Sequence, residues 1–305
     1  MKMLAIVMIT YNEEFHIGDC IDNVKDIADE IFVLDSLSSD RTVEIAQAKG
    51  AVVLQRPFYN FGDQWNFALN AFPIESEYTM KIDPDERLSE ELKRNIVEEI
   101  NKGEYSCFSL YRRLWFMARP INVKQKILRI WKSGTCHFCD NIVNEYPIIE
   151  GGKHKLLSGY MEHLDSVDLF KWNEKQNRYS TMEAIQLYKH KQKDGDTTKG
   201  LKELVKYNIY SIPFCFSVLH LYHLFGKKTI FSGKEGRAWA RLRTEIYRMR
   251  YYKYLEIKNT GVIPELAKST SERKYNQGLL SLPLQQEIMK RRDFSYVANN
   301  QVSFE

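Results

Sequence analysis

Short apolar runs alternate with polar, helix-forming segments along the first 90 residues. Residues 3–9 form a continuous apolar run, which is typical of a parallel strand buried on both faces. Further strands are predicted at 30–35, 52–54 and 78–82, and helices at about 12–28, 42–49 and 64–71. Connections of this length suit right-handed parallel crossovers, so the pattern predicts a doubly wound α/β sheet that is mostly parallel.

Polar residues lie at the ends of three of these strands, at Thr10–Glu14, at Asp35 and at Asp83–Glu86. Ligands of such sheets bind beyond the carboxyl ends of the strands, so the three clusters are expected to line one crevice. In the last cluster Asp83 and Asp85 are alternate residues that can converge on a divalent cation or on sugar hydroxyls. The other interpretation is a solvated acidic turn before a helix over residues 88–102, with Ser89 as its N-cap.

Two phosphate-binding motifs are absent from the sequence. No G-x-G-x-x-G follows the first strand, and no G-x-x-x-x-G-K-[ST] occurs. A dinucleotide dehydrogenase or a P-loop enzyme is therefore disfavoured. A nucleotide diphosphate held through a cation on carboxylates fits the acidic clusters better.

The rear of the chain has a different pattern. A strand is predicted at Ser106–Tyr111, and the arginines after it could meet an anionic acceptor or be solvated. Residues 209–225 are largely apolar but short and interrupted for a spanning helix. Residues 226–258 mix Lys and Arg with aromatic residues, which predicts an interfacial helix on an anionic membrane surface; a helical bundle or a dimer interface is the alternative. No nucleic-acid-binding module is recognisable.

Composition and charge support this division. The 305 residues can form a sizeable core, and an apolar fraction of 44% disfavours global disorder. Acidic residues predominate up to residue 152 and basic residues from 153 onward. We therefore predict a catalytic domain at 1–200 and a helical region at 201–305, weakly ordered from about 270. Five cysteines and no secretory signal indicate a reducing cytoplasm, and the single C-x-x-C at Cys136 and Cys139 is a weak zinc signal.

The motifs in this order resemble family 2 glycosyltransferases of the GT-A fold. The first three motifs are Thr10–Glu14, Val33–Ser36 with Ser39–Thr42, and Asp83–Glu86. Within that family the chain most resembles bacterial enzymes that add a sugar, often glucose, to the lipopolysaccharide inner core. The matching downstream residues are Arg129-Ile130-Trp131, Val143-Asn144-Glu145, His163 and Lys175–Ser180. The resemblance covers roughly residues 1–255, and it departs from the family at Asn144, where relatives often carry His.

The resemblance implies a role for each matching residue. Thr10, Tyr11 and Glu13 would hold the nucleoside, Asp35 would contact the edge of the base, and Asp83 and Arg129 would bind the nucleotide sugar. Asp85 would ligate Mg²⁺ or Mn²⁺, and Glu145 would be the general base. His163 and Asn144 would contact the acceptor or the diphosphate. For Glu145 the residues give an independent reason, since inverting transfer needs a carboxylate that takes the proton of the acceptor hydroxyl.

These features predict an inverting, metal-dependent hexosyltransferase. Its expected donor is UDP-glucose, and its expected acceptor is a lipid-linked saccharide such as lipopolysaccharide core or another surface glycan. We expect a cytoplasmic protein, peripheral on the inner face of a bacterial cytoplasmic membrane, with a homodimer as an option and no nucleic-acid partner. Two alternatives stay open at this point. One is a nucleotidyltransferase on a similar sheet, and the other is a non-catalytic membrane-associated scaffold.

Overall fold

A computed structural model describes residues 2–139, 146–165, 168–192 and 214–264. The described residues divide into two compact units. The first comprises residues up to Arg112 together with Gln125–His163, and the second comprises Arg113–Lys124 and the described residues from Leu164 onward. The domain boundary predicted near residue 200 lies outside the described residues and stays a prediction.

The first 102 residues alternate strands and helices. The elements in order are β1 (Leu4–Thr10), α1 (Ile17–Val24), β2 (Glu30–Asp35), α2 (Thr42–Ala48), β3 (Val52–Gln55), α3 (Phe61–Ala71), β4 (Tyr78–Lys81), β5 (Glu86–Leu88) and α4 (Glu90–Lys102). Five strands follow: β6 (Cys107–Phe116), β7 (Arg119–Lys132), β8 (Cys136–Phe138), β9 (Pro147–Ile149) and β10 (His154–His163). The predicted strands and helices of this part are confirmed to within about five residues at their ends, whereas β5 and the strands from β7 to β10 were not predicted.

Eight strands form one sheet in the order β3-β2-β1-β4-β7-β6-β10-β5. The four strands from β3 to β4 are parallel, whereas β7 pairs antiparallel with β4 and β5 pairs antiparallel with β10. In register, Thr10 lies beside Asp35, and Asp35 lies beside Gln55. The predicted α/β class with a parallel, doubly wound front is confirmed, and the polar residues that end β1, β2 and β3 meet at one edge of the sheet.

Helices cover both faces of the parallel strands, which explains why β1 is apolar at consecutive positions. Ile6 and Met8 belong to the core on one face, with α1, α2 and α4. Val7 belongs to the core on the other face, where Trp65 of α3 and Phe72, which directly follows that helix, pack. Successive side chains of a strand point to opposite faces, so a strand covered on both sides needs apolar residues throughout.

The segment before α4 differs from the prediction. A helix was expected from residue 88, but Glu86–Leu88 form β5, which pairs with β10, and the helix begins at Glu90. Ser89 is the N-cap, as expected, because its hydroxyl accepts from the backbone N–H of Leu92 at 3.2 Å. The same hydroxyl accepts from the N–H of Tyr160 at 3.1 Å. The strand was missed because its partner lies more than 70 residues away.

The described residues of the second unit form several helical elements after its strand segments. They are α5 (Leu169–Gln192), α6 (Cys215–Leu221), which continues into a π-helical turn (Tyr222–Gly226), a 3₁₀ turn (Thr229–Phe231) and α7 (Gly233–Thr260). Their cores are formed by two clusters, which contain Phe116, Ile121, Val123, Trp172, Trp239 and Ala240, and Ala184, Leu187, Tyr254 and Ile257. The predicted helical character of this region is therefore confirmed for its described residues.

Helix α7 carries the basic and aromatic residues that predicted an interfacial helix. Trp239 and Tyr254 of α7 are buried. Arg250 donates to the carboxylate of Glu183 on α5 at 3.0 Å, and Lys253 donates to the hydroxyl of Ser180 at 2.9 Å. These contacts match the bundle alternative, since α5 covers much of the aromatic face. Among the described residues no helix is both long and apolar enough to cross a bilayer.

Candidate active site

The loops that follow β1 and β2 are held together by hydrogen bonds. The backbone N–H of Asn12 donates to the Ser38 hydroxyl at 2.8 Å, and the N–H of Ser39 donates to the Asn12 side-chain oxygen at 2.9 Å. The N–H of Glu13 donates to the Thr42 hydroxyl at 2.8 Å. Asn12 has a φ of 53°, a left-handed conformation that Asn tolerates better than most residues. The first two motifs of the sequence therefore form one connected edge.

Asp35 lies at the centre of this edge and is fully buried. Its Oδ1 accepts from the hydroxyl of Thr10 at 2.9 Å and from the hydroxyl of Ser38. Its Oδ2 accepts from the N–H of Ser38 at 2.8 Å and from the side-chain amide of Gln55 at 2.9 Å. In this arrangement Asp35 braces the ends of three strands. Its expected contact with a base stays a prediction.

The acidic turn after β4 is built around Glu86, which is fully buried. Arg129 of β7 donates from Nη2 to Glu86 Oε1 at 2.6 Å and to Asp83 Oδ2 at 3.0 Å. Arg112 of β6 also donates to Glu86 Oε1, at 3.2 Å, and the other oxygen of Glu86 accepts from the N–H of Asp83 at 2.9 Å. Two arginines from neighbouring strands thus fix the turn that carries Asp83 and Asp85.

The charge balance around Asp83 keeps this carboxylate ionised. Burial raises the pKa of Asp83, and repulsion from Asp85 acts in the same direction. The cations of Arg129 and Lys81 outweigh both effects and lower the pKa of Asp83 to about 2. A charged Asp83 is an acceptor only, which suits contacts to hydroxyl groups.

Asp85 and His163 form a candidate pair of metal ligands. The antiparallel register of β5 and β10 places His163 opposite Glu86, next to Asp85 in the chain. His163 Nε2 lies 3.2 Å from Asp85 Oδ2, and both side chains are largely buried. A carboxylate oxygen and an imidazole nitrogen are ligand types that Mn²⁺ accepts. Asp165 follows two residues after His163 and forms an ion pair with Lys175 at 3.0 Å.

Two contacts join the acidic turn to the segment after β1. Arg87 donates to the carbonyl oxygen of His16 at 3.0 Å, and the Cys20 thiol lies 3.7 Å from the carbonyl oxygen of Asp83. Because β1 lies between β2 and β4, the Asp35 cluster and the acidic turn flank the carboxyl end of β1. The predicted meeting of these clusters at one edge of the sheet agrees with the described geometry.

For several predicted site residues the structure does not indicate a role. Tyr11 and Glu13 are partly exposed in the loop after β1. Asn144 and Glu145, the expected acceptor contact and general base, lie outside the described residues. The roles of all four stay predictions.

Sequence reasoning did not single out Lys81 or the central position of Glu86. Lys81 is buried on β4, and its ammonium lies 4.3 Å from the ring centre of Trp65 and 5.3 Å from that of Phe138. The sequence contained a sign of this position, because Lys81 lies inside a predicted strand and a buried ammonium needs compensating partners. The roles of Glu86 and Arg112 depend on strand pairing, which the local sequence does not reveal.

Comparison with known families identifies this part of the chain. Residues 5–149 match the description "Glycosyl transferase family 2". The chain contains a family 2 glycosyltransferase domain. The matched residues include the loops after β1 and β2 and the whole acidic turn. The predicted family and the GT-A type of fold class are therefore confirmed.

Relatives that are named as glycosyltransferases match 60–63% of the chain. An uncharacterized glycosyltransferase of Rickettsia typhi is 29% identical over 211 residues, which is 63% of this chain and 70% of the relative. The lipopolysaccharide core biosynthesis glycosyltransferase LpsC of Rhizobium meliloti is 27% identical over 194 residues, which is 60% of this chain and 71% of the relative.

Solved structures resemble the chain only in part. Glucosyl-3-phosphoglycerate synthase from Mycobacterium tuberculosis, solved with Mn²⁺, UDP and glucosyl-3-phosphoglycerate, is 25% identical with a TM-score of 0.32, over 37% of this chain and 44% of that one. TarS of S. aureus has a TM-score of 0.39 at 12% identity, over 85% of this chain and 55% of that one. The family assignment therefore rests on the sequence match.

Proposed function

We propose that this protein is a metal-dependent, inverting glycosyltransferase that moves a hexose from a nucleotide sugar, with UDP-glucose as the expected donor. The observation that supports this most is the pair of Asp85 and His163, 3.2 Å apart, at the family's acidic turn. Asp85 follows β4 at the carboxyl end of the parallel strands, and ligands of such sheets bind beyond these ends, which supports a nucleotide diphosphate as the ligand.

The residues at this turn fit a divalent cation. Asp85 and His163 would hold Mg²⁺ or Mn²⁺, and Asp165 offers a further carboxylate two positions later in the sequence. A cation bound there would supply charge neutralisation for the diphosphate of the leaving nucleotide. Glu86, buried between two arginines, would keep the turn in place whether or not the cation is bound.

The remaining residues of the edge would bind and orient the donor. Asp35 would hold Thr10 and the Ser38 loop in position, so that Thr10, Tyr11 and Glu13 surround the nucleoside. Arg129 would keep Asp83 ionised and aimed, so that its carboxylate accepts hydrogen bonds from ribose or from the donor sugar. Positioning of this kind is a large part of the rate acceleration in group transfer.

Glu145 would take the proton from the acceptor hydroxyl as that oxygen attacks the anomeric carbon. Direct attack from the face opposite the leaving diphosphate inverts the configuration. The proposal predicts that Glu145→Gln abolishes transfer while UDP still binds, because the amide cannot accept the proton at that step. Loss of UDP binding in this variant would contradict the assignment of Glu145 as the base.

We propose a lipid-linked saccharide as the acceptor and the inner face of the cytoplasmic membrane as the place of action. The likeness to the lipopolysaccharide core enzyme LpsC, at 27% identity, supports this acceptor class. His163 and Asn144 are the proposed contacts to the acceptor or the diphosphate, and for His163 the ligand role beside Asp85 has the stronger geometric support.

The test is turnover of nucleotide sugars by the purified full chain. UDP release from UDP-glucose should require Mn²⁺ or Mg²⁺, stop with EDTA, and fall by at least about 100-fold in Asp85→Asn. Glu91→Gln, which removes an exposed carboxylate of α4, is the matched control and should keep full turnover. The anomeric configuration of the product, followed by NMR, tests inversion.

Three results would contradict the proposal. Pyrophosphate release from a nucleoside triphosphate and a sugar phosphate would favour the nucleotidyltransferase. Folded protein with no turnover of any nucleotide sugar and no binding of UDP would favour the scaffold. Equal turnover in wild type and Asp85→Asn would remove the metal site from the mechanism.

A further inference from the structure

The second unit exposes a stripe of large apolar side chains. The apolar stripe consists of Phe214, Val218, Leu221, Phe225 and Phe231, which are between 52% and 83% exposed. The first four are spaced by four, three and four residues along α6 and the π-helical turn. This spacing puts them on one side of the helical segment, so they form a continuous surface.

The opposite side of the same segment packs against α7. Cys215 and His223 are buried, and the imidazole of His223 lies 3.2 Å from the Thr244 hydroxyl and 5.4 Å, between ring centres, from Trp239. A helix at the surface of a soluble protein normally turns polar residues outward. Here the outward side carries large apolar side chains, so solvation alone does not explain it.

Cations lie beside the stripe, and acids are absent from it. The sequence from Phe214 to Lys234 contains no Asp or Glu. Lys228 and Lys234 are exposed, and the ammonium of Lys227 lies 5.8 Å from the ring centre of the exposed Tyr222. Aromatic and aliphatic residues flanked by lysines are the composition of segments that lie in the interface of an anionic bilayer.

We propose that the apolar stripe inserts into the headgroup region of an anionic bilayer, with Lys227, Lys228 and Lys234 at the level of the lipid phosphates. The segment would lie in the plane of the interface. This surface differs from the one the sequence predicted, because the aromatic residues of α7 largely pack inside the second unit. The inference extends the proposed function. It depends on that function only in that the acceptor is lipid-linked.

Each part of the stripe should contribute a measurable factor to binding. Insertion of one large apolar side chain corresponds to about tenfold or more in partitioning, and each lysine near an anionic surface to about fivefold. Several side chains acting together would give stable but reversible association, and high salt would weaken only the contribution of the lysines.

The experiment is co-sedimentation of the full chain with phosphatidylcholine vesicles that contain or lack phosphatidylglycerol. Wild type should bind the anionic vesicles, and binding should weaken at high salt. Phe225→Ser and Phe231→Ser should each weaken binding by about tenfold with unchanged circular dichroism. Tyr252→Ser on α7, which removes an aromatic residue that is 53% exposed, is the matched control and should bind like wild type.

The proposal is overturned if wild type does not bind anionic vesicles, or if the stripe variants bind as well as wild type. It is also overturned if the stripe variants convert a dimer to a monomer and wild type ignores vesicles, because the occupant would then be a second copy of the chain. UDP-glucose turnover without lipid is measured in parallel. Turnover that persists without vesicle binding refutes the membrane surface alone, whereas vesicle binding without turnover refutes the proposed function alone.

Discussion

Substitutions of Asp35 should separate two kinds of hydrogen-bond partner. Both partners of Oδ1 are hydroxyls, of Thr10 and Ser38, and both partners of Oδ2 are N–H groups, of Ser38 and Gln55. Hydroxyls can accept as well as donate, whereas N–H groups only donate. In Asp35→Asn the amide oxygen can take the place of Oδ2 while the amide nitrogen donates to the hydroxyls. In Asp35→Ala both N–H groups lose their acceptor.

The cost of each substitution follows from these partners. Each buried donor left without an acceptor costs about 1–3 kcal/mol, so Asp35→Ala should lower the free energy of unfolding by about 2–6 kcal/mol. Asp35→Asn loses mainly the charge-assisted part of its hydrogen bonds, which amounts to about 1–2 kcal/mol. Urea unfolding followed by tryptophan fluorescence measures both values, with Asp19→Asn as an exposed control that should lie within about 0.5 kcal/mol of wild type.

An Asn variant that is as unstable as the Ala variant would refute this division of partners. UDP binding by the folded Asn variant then tests the second role of Asp35. Unchanged affinity would assign Asp35 to bracing the loops, whereas a large loss would support the base contact that the family resemblance implies.

Three further predictions concern folding. Glu86→Gln should lower the free energy of unfolding by about 3–5 kcal/mol in urea titration, because it leaves the buried Arg129 and the partly buried Arg112 without their shared carboxylate. A loss below about 1 kcal/mol would contradict this. Gly159→Ala should lower the melting temperature far more than Gly134→Ala. Both glycines have positive φ, but only at Gly159 would a Cβ meet backbone, at 2.6 Å. Equal losses in the two variants would refute the close approach. Burial, with the nearby Arg243, lowers the pKa of His223 to about 4. The free energy of unfolding should therefore fall as pH drops from about 6.5 towards 4, by about 2 kcal/mol at pH 5. His223→Gln should remove this dependence, and an identical pH dependence in the variant would contradict the prediction.

Local sequence determined the parallel half of the sheet. Strands buried on both faces need consecutive apolar residues, as in β1, and polar residues that follow such strands must meet at one edge. For this reason the fold class and the position of Asp35 and Asp83 could be predicted before the structure. Ser89 could be recognised as a helix cap for the same reason, because capping depends on its immediate neighbours.

Contacts between distant segments could not be predicted in the same way. The pairing of β5 with β10 brings His163 to Asp85, although 78 residues separate them, and no local periodicity encodes that register. The four groups that donate to Asp35 include two from other strands, those of Thr10 on β1 and Gln55 on β3. In the second unit, the sequence predicted a helix with an aromatic face at α7 but did not identify α5 as its packing partner, nor the large exposed apolar side chains on α6.

The Asp85 and His163 pair carries the central claim, and electron spin-echo measurements on Mn²⁺ in the presence of UDP test it most directly. The account predicts nuclear modulation from one directly bound histidine nitrogen in wild-type protein, its disappearance in His163→Gln, and loss of bound Mn²⁺ in Asp85→Asn. Bound Mn²⁺ that shows no histidine nitrogen in wild type, or identical spectra in wild type and His163→Gln, would contradict the account.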